Sequence, residues 1–137
     1  MKTIVNTIQA LPNLLPLKAA SKTEITDAEL QLRVSFADEY RLYLSTFGAI
    51  MADGIELTGI AKSEHRNVVP VTKQEWALNA GVPHAMYVVE STGVDGVIIW
   101  QDTHGLIYQT SPETQPKIIA QSLNDYIIAR TNQAIPW

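Results

Sequence analysis

The sequence of 137 residues contains no cysteine. This absence excludes disulfide bonds, thiolate metal ligands and thiol nucleophiles, and it fits a reducing compartment, so we expect a cytoplasmic protein. Positive charge is not in excess either, because 10 Lys and Arg stand against 14 Asp and Glu, which gives a net charge of −4. Nucleic-acid-binding domains usually carry a basic excess, so no nucleic-acid partner is expected.

Long apolar runs are also missing. Near the N-terminus, Asn6, Gln9 and Asn13 interrupt the apolar residues, so the sequence predicts neither a signal peptide nor a membrane span. Hydrophobic residues nevertheless make up 46% of the chain and charged residues 18%. This balance favours one folded domain with a substantial core over a disordered chain.

The sequence shows none of the common catalytic or metal-site motifs. His65, His84 and His104 are far apart and lack the H-E-x-x-H spacing, so each is expected in a loop. The serines lack a G-x-S-x-G setting, and the stretch 93–96, G-V-D-G, is typical of a hairpin turn rather than a phosphate loop. We therefore expect no catalytic residue, no cofactor and no bound metal, and hence not an enzyme.

Residues 26–60 carry the strongest local pattern. Apolar residues recur there with the period of an α-helix and predict one buried helix face, formed by Phe36, Tyr40, Leu44 and Phe47. Ser35 is the predicted N-cap, and Gly48 follows the predicted last turn. Asp53-Gly54 separates the two short apolar runs that come next, which predicts a β-hairpin with this dipeptide at its turn.

Other signals place the remaining elements. Ile4, Ile8 and Leu11 have helical spacing, which fits a short helix or an extended arm. Further helices are predicted after capping boxes at Thr26–Glu29 and Thr72–Glu75, and after Ser122. Further strands are predicted over residues 68–71, 86–90, 97–101, 106–110 and 117–120. The fold class is therefore α+β, a single domain in which an antiparallel sheet of about five strands packs with helices. Residues 1–23 are expected to form an N-terminal arm or short helix, and residues 24–137 the main domain.

The negative charge is concentrated in one part of the sequence. Between Asp27 and Glu56 there are six acids and two bases, whereas elsewhere eight acids balance eight bases. One explanation is a solvated acidic face, and the other is a patch that attracts a basic partner. Asp53 and Glu56 fit a turn and an exposed strand, or they contact that partner. Asp38 and Glu39 are adjacent on a helix and point about 100° apart, so they do not form a catalytic dyad.

The tryptophans fall in different settings. Trp76 is expected in the core. Trp100 lies in an apolar β run, so it is either a core residue or an aromatic residue of a binding surface. Trp137 is the last residue, and no pattern around it predicts a position.

Several motifs, in their order and spacing, resemble the SUKH superfamily, the Smi/Knr-like domains. The family pattern E-x-x-L-x-x-x-L-P-x-D-Y-R-x-F-L-x-x-x-G is similar to Glu29-x-x-Leu32 followed by Phe36-Ala37-x-Glu39-Tyr40-Arg41-x-Tyr43-Leu44-x-x-x-Gly48. Later parts resemble the family's hairpin, central strands and terminal helix, at Glu56-Leu57-x-Gly59, residues 86–108 and Ser122-Leu123-x-x-Tyr126-Ile127. The resemblance covers about residues 24–131 and departs at Arg33, Ala37 and Ala49, where the family favours glycine, proline and glycine.

The resemblance implies a non-enzymatic protein-binding domain with an α+β fold. Bacterial members commonly act as immunity proteins that neutralise polymorphic toxins, often nucleases or deaminases, and other members are scaffolds in cell-wall or signalling control. The acidic segment fits the first role, since an acidic face would steer the chain towards a basic toxin cleft. The predicted partner-binding residues are Asp53, Glu56, Asp38, Glu39 and Trp100. We expect a monomer or weak dimer that binds a toxin domain and neither nucleic acid nor membrane, and a scaffold domain without a toxin partner is the alternative.

Overall fold

The computed structural model of this chain describes residues 3–132, so Trp137 lies outside the described residues. The helices are α1 (Ile4–Gln9), α2 (Lys22–Leu32), α3 (Asp38–Phe47), α4 (Val68–Leu78) and α5 (Leu123–Thr131), with a 3-10 turn at Glu64–Arg66. The strands are β1 (Leu15–Pro16), β2 (Ile50–Ala52), β3 (Ile55–Leu57), β4 (Tyr87–Ser91), β5 (Ile98–Gln101), β6 (Ile107–Thr110) and β7 (Lys117–Ala120). The predicted α+β class is confirmed.

The strands form two antiparallel sheets where the sequence predicted one of about five strands. The first has the order β1-β2-β3 and contains the predicted hairpin, and the second has the order β4-β5-β6-β7. The sheets meet at Thr58, just after β3, whose amide donates to the Val89 carbonyl at 2.9 Å and whose hydroxyl donates to the Val88 carbonyl at 2.7 Å. Strand β1 adds the edge of the first sheet, which the sequence pattern did not predict.

Helix α3 buries the predicted face but begins later than predicted. Tyr40 and Leu44 are fully buried, and Gly48 ends the helix with a φ of 74°. The N-cap is Ala37, whose side chain cannot accept a hydrogen bond, so the assignment of Ser35 was wrong. The amide of Phe36 donates to the Glu29 carboxylate at 2.8 Å and the amide of Ala37 donates to the hydroxyl of Tyr87 at 2.9 Å. These two bonds hold the chain extended up to the first turn of α3.

Glu29 connects two segments of the sequence motif, the one on α2 and the one on α3. Its Oε2 accepts from the backbone of Phe36 and from the Arg41 guanidinium, with Arg41 Nη2 at 2.7 Å. This carboxylate therefore ties α2 to α3. The hydrogen bond and the charge of Glu29 raise the pKa of Arg41 above its ordinary value, although partial burial opposes the change.

Two helices begin at residues that differ from those predicted by the capping-box patterns. Helix α2 begins after Ser21, whose hydroxyl and Glu24 form the capping box, so Thr26 lies inside the helix. Helix α4 begins after Asn67, which makes the predicted strand 68–71 its first turn. Pro70 is tolerated there because the first amides of a helix need no partner within it.

Strands β4 and β5 of the four-stranded sheet are buried on both faces. On one side, Tyr87, Val89 and Ile99 pack into the main core together with residues of α3 and α5. On the other side, Val88, Ile98 and Trp100 form a second cluster with residues of α4 and the following loop. The edge strand β7 is more open, and its Ile118 is 50% exposed.

Candidate protein-binding surface

The outer face of the three-stranded sheet presents apolar side chains to solvent. Leu15 of β1 pairs with Met51 of β2, and Met51 pairs with Glu56 of β3, so these three side chains lie on the same face. Leu15 is 62% exposed and Met51 36% exposed. Ile50 and Leu57, on the opposite face, are fully buried. We call Leu15, Met51, Glu56 and the neighbouring turn residue Asp53 the hairpin surface.

The turn of the hairpin is exposed but held in place. The Asn13 side-chain amide donates to Asp53 Oδ2 at 2.8 Å, and the Asp53 amide donates to the Pro12 carbonyl at 3.1 Å. From the other side, Arg130 Nη2 donates to the Gly54 carbonyl at 2.8 Å. The turn is thus fixed by both the N-terminal segment and α5, and a partner would meet a preorganised surface.

Behind the hairpin lies a buried network around Glu90, which is 2% exposed. Its carboxylate accepts from Arg130 Nη2 at 2.6 Å and from the hydroxyl of Tyr126. Burial, reinforced by the charge of Glu90, raises the pKa of Tyr126 well above its ordinary value. Burial lowers the pKa of Arg130, but the hydrogen bond and charge of Glu90 outweigh it and raise that pKa. This network connects β4 and α5 to the carbonyl at the turn and stiffens its base.

The structure brings only Asp53 and Glu56 of the predicted partner-binding residues together. Both are exposed on the hairpin, and Glu56 Oε1 lies 3.4 Å from Nε of Arg66. Asp38 is exposed at the start of α3 and lies 3.2 Å from Arg41 Nη1. It lines a separate depression with His104 of the β5–β6 turn. The predicted acidic segment therefore does not form one continuous patch.

Glu39 has a role inside the protein that the sequence did not reveal. Its carboxylate accepts from the amides of Leu123 and Asn124 at 2.7 and 3.0 Å, and from the Gln101 side chain at 2.9 Å. It therefore caps the N-terminus of α5 from another helix. With both oxygens occupied in this way, the partner-binding role predicted for Glu39 is replaced by a structural one.

Trp100 is fully buried, and its indole Nε1 donates to Thr110 Oγ1 at 2.9 Å. The partner-binding role predicted for Trp100 was therefore wrong, because β4, β6 and α4 surround this strand. Of the two alternatives, the core position is the one observed. Trp76 is half-buried and packs against both core clusters.

The sequence patterns did not indicate Leu15 and Met51 as residues of a binding surface. Met51 lies in a predicted strand, where the period-2 alternation with buried Ile50 marks it as exposed. No such signal marked Leu15, since a strand of two residues, one of them Pro16, is too short to show an alternation. Only the pairing of β1 with β2 brings the two side chains together.

Within residues 3–132, no group of three or more His, Asp or Glu side chains is placed to hold a metal ion. His84 stacks on Trp76 with ring centroids 4.2 Å apart, and His65 Nδ1 lies 2.8 Å from Ser63 Oγ. His104 is exposed in the turn after β5. Over the same residues, no helix is both long enough and apolar enough to cross a membrane.

Comparison with known proteins supports the resemblance of the sequence motifs to the SUKH superfamily. The family model SUKH_5, described as SMI1-KNR4 cell-wall, matches residues 1–130. A crystal structure titled as a protein from Pseudomonas syringae pv. tomato is similar in fold, with a TM-score of 0.71, 93% of each chain covered and 16% sequence identity. No curated protein matches significantly. Since the family match spans nearly the whole sequence, the chain belongs to the SUKH family, as the motifs indicated.

Proposed function

We propose that this chain is a non-enzymatic protein-binding domain, and specifically a cytoplasmic immunity protein that neutralises a bacterial toxin by direct binding. The observation that carries the proposal is the hairpin surface, where Leu15 and Met51 lie exposed side by side with Asp53 and Glu56 at their edge. An apolar centre with a polar rim is the usual anatomy of a protein–protein interface. The fixed turn reduces the entropy that binding would otherwise cost.

The acids of the hairpin surface favour a basic partner. Asp53 has an amide neighbour in Asn13 and no cation is bonded to its carboxylate among the described contacts, so its charge is available to a partner. An exposed carboxylate at a protruding turn speeds the encounter with a positively charged cleft, most strongly at low ionic strength. Toxins that act on nucleic acids carry such clefts, because their substrates are polyanions.

Co-expression with the product of the neighbouring gene tests the proposed function. Cells that express a toxic neighbour should survive only when this chain is also produced, and the two proteins should co-elute at a defined stoichiometry. A neighbour that binds without being toxic would reject the immunity role and support the regulatory or scaffold alternative. That alternative is favoured by one finding, the words cell-wall in the description of the matching family.

Substitution on the hairpin surface tests where the partner binds. Leu15→Ser combined with Met51→Ser should weaken binding of the neighbouring protein at least tenfold, because interface centres carry most of the affinity. The matched control is Leu30→Ser with Leu78→Ser. These leucines lie on α2 and α4, away from the hairpin surface, and are 71% and 70% exposed. Equal affinity for both double variants in a titration would move the interface away from the hairpin surface.

A charge reversal tests the role of the acid at the turn. Asp53→Lys should slow association at low salt, and the difference from the unsubstituted protein should shrink as salt is added. Glu113→Lys, on the exposed β6–β7 loop, changes the net charge equally and serves as the control. Glu56 is left unchanged because its carboxylate lies beside Arg66, so a lysine there would place two cations together. Equal salt dependence in both variants would contradict a steering role for Asp53.

A further inference from the structure

The dipeptide Asp-Gly occurs twice in the chain, and both copies lie on exposed turns. Asp53-Gly54 joins β2 to β3, and Asp95-Gly96 lies between β4 and β5. An aspartate followed by glycine is especially susceptible to spontaneous isomerisation of the backbone, because glycine has no Cβ to hinder attack on the aspartyl side chain. The two copies share the same intrinsic chemistry, so a difference between their rates of isomerisation comes from the fold.

The isomerisation has two steps. First, the glycine amide nitrogen attacks Cγ of the aspartyl side chain. The N–Cγ bond forms, the bond from Cγ to the carboxyl hydroxyl breaks, and this hydroxyl leaves as water with the amide proton. Second, water opens the cyclic imide, and opening at the backbone carbonyl carbon leaves isoaspartate, in which the chain runs through Cγ and the α-carboxylate is free. Ring closure requires the side chain and the adjoining peptide group to rotate towards each other, so freedom of movement governs the rate.

The contacts around Asp53-Gly54 restrict that rotation. The turn has only two residues between the paired strands. The Asp53 amide donates to the Pro12 carbonyl at 3.1 Å, and Asp53 Oδ2 accepts from the Asn13 side-chain amide at 2.8 Å. The Gly54 carbonyl accepts from Arg130 Nη2 at 2.8 Å. Ring closure at Asp53 therefore breaks the bond to Asn13 and disturbs the bonds on either side of the dipeptide.

The second dipeptide, Asp95-Gly96, lacks such contacts. It lies in a loop of six residues, 92–97, between the paired ends of β4 and β5. One bond closes the turn around it, from the Val97 amide to the Val94 carbonyl at 2.9 Å. Among residues 3–132, neither the Asp95 carboxylate nor the backbone of the two residues takes part in a hydrogen bond or ion pair. Both residues are exposed, so their rotation is opposed by little besides the turn itself.

We propose that Asp95-Gly96 is a site of spontaneous isoaspartate formation in the folded protein, and that the contacts of Asp53-Gly54 protect the hairpin surface from the same change. The free α-carboxylate of the product is the group on which isoaspartyl methyltransferases act. These enzymes transfer a methyl group from the sulfonium sulfur of S-adenosylmethionine to a carboxylate oxygen. The aged protein is therefore a substrate for this class of enzyme at residue 95. This inference does not depend on the proposed immunity role.

Ageing of the whole chain at neutral pH and body temperature tests the assignment. Trypsin separates the two dipeptides, because residues 42–62 contain Asp53 and residues 74–117 contain Asp95. Tandem mass spectrometry with electron-transfer fragmentation locates isoaspartate within each peptide. It should accumulate about fivefold faster at Asp95 than at Asp53, which is the change in rate expected when one hydrogen bond must break before the reaction.

The unfolded chain provides the internal control. In guanidinium chloride the restraints of the fold are absent, so Asp53 and Asp95 should isomerise at similar rates within one sample. Equal rates in the folded protein would overturn the proposal. Absence of isoaspartate at Asp95 in the folded protein would overturn it as well.

One variant tests the protection of the hairpin turn. Asn13→Gly removes the amide that holds Asp53, and glycine accepts the φ of 56° that Asn13 adopts. The variant should isomerise about fivefold faster at Asp53 and at an unchanged rate at Asp95. An unchanged rate at Asp53 would overturn the protective role of this contact.

A second variant tests the position of the methylated group. Asp95→Glu keeps the charge, but its longer side chain must close a six-membered ring, which forms much more slowly. Methyl incorporation from labelled S-adenosylmethionine into the aged variant, catalysed by an isoaspartyl methyltransferase, should fall at least about fivefold below that of the unsubstituted protein. Undiminished incorporation would place the modified residue elsewhere and overturn the assignment. Gly96 is left unchanged, because a Cβ there would lie 2.9 Å from Cγ of Pro112.

Discussion

Leu42 and Leu44 lie two positions apart on α3 and face different surroundings. Leu44 is fully buried, whereas Leu42 is 43% exposed. Leu44→Ala should lower the free energy of unfolding by about 2–5 kcal/mol, because it removes apolar contacts and leaves a cavity. Leu42→Ala is the matched control and should change it by no more than about 0.5 kcal/mol. Urea titration of both variants checks this, and equal midpoints would show that the phase assigned to α3 is incorrect.

Arg33 ends α2 in the left-handed conformation, with φ 56° and ψ 43°. The family pattern that the sequence resembles favours glycine there, and glycine adopts this conformation without the steric cost that a side chain brings. Arg33→Gly should therefore raise stability by about 0.5–1 kcal/mol, after allowance for the greater freedom of the unfolded chain. Leu30→Gly, inside the same helix and 71% exposed, should lower stability by about 1 kcal/mol. A lower thermal midpoint for Arg33→Gly would contradict the prediction.

Helix α5 depends on a residue that is 84 positions away in the sequence, since Glu39 accepts from the Leu123 amide. Glu39→Ala should destabilise the protein by about 1–3 kcal/mol, because the Leu123 and Asn124 amides lose their acceptor. Those two amides should also exchange their hydrogens faster. Asp38→Ala, at the neighbouring and fully exposed position, should leave both exchange rates unchanged. Equal exchange in the two variants would show that Glu39 does not support α5.

The elements that the sequence predicted well are those whose signals are local. The α3 face, the Asp53-Gly54 turn and the Ser122 cap all depend on residues within one or two turns of each other. Predictions failed where a distant group decides the structure. Hydrogen bonds to Glu29 and Tyr87 fix the chain before α3. Thr72 was predicted to start a helix, but it is buried within α4, where its hydroxyl accepts a hydrogen bond from the Val88 amide at 3.0 Å.

In the candidate site too, the sequence predicted the residues with local signals and missed the residue whose position depends on a distant contact. Asp53 and Glu56 were predicted together because one hairpin carries both. The position of Leu15 on this surface was not predicted, because it depends on the pairing of β1 with a strand that is distant in sequence. Charge counting overestimated the acidic surface, since Glu29 pairs with Arg41 and Glu39 caps a helix. A count of charges does not distinguish solvated carboxylates from those that hold elements together.

The stability of the whole molecule should fall steeply in alkaline solution. Four buried tyrosines have a pKa raised above the ordinary value, chiefly because burial disfavours the phenolate: Tyr40, Tyr43, Tyr87 and Tyr126. Three of them also form close ring contacts with one another or with Phe36. The hydroxyls are occupied as well, as in the bond from Tyr43 to the Thr58 carbonyl at 2.8 Å.

The sign of the pH dependence follows from these raised values. Below a pH of about 10, each tyrosine is protonated in both the folded and the unfolded state, so its contribution to the free energy of unfolding does not change with pH. Above that pH, the unfolded chain releases the proton and the folded chain keeps it. Stability then falls by up to about 1.4 kcal/mol per pH unit for each tyrosine until the folded value is reached. Tyrosinate absorbance and circular dichroism should therefore change together in one alkaline transition. Tyr40→Phe should make the loss of stability with pH less steep, whereas tyrosinate absorbance that reached its full value near pH 10 in a still folded protein would contradict the burial of these rings.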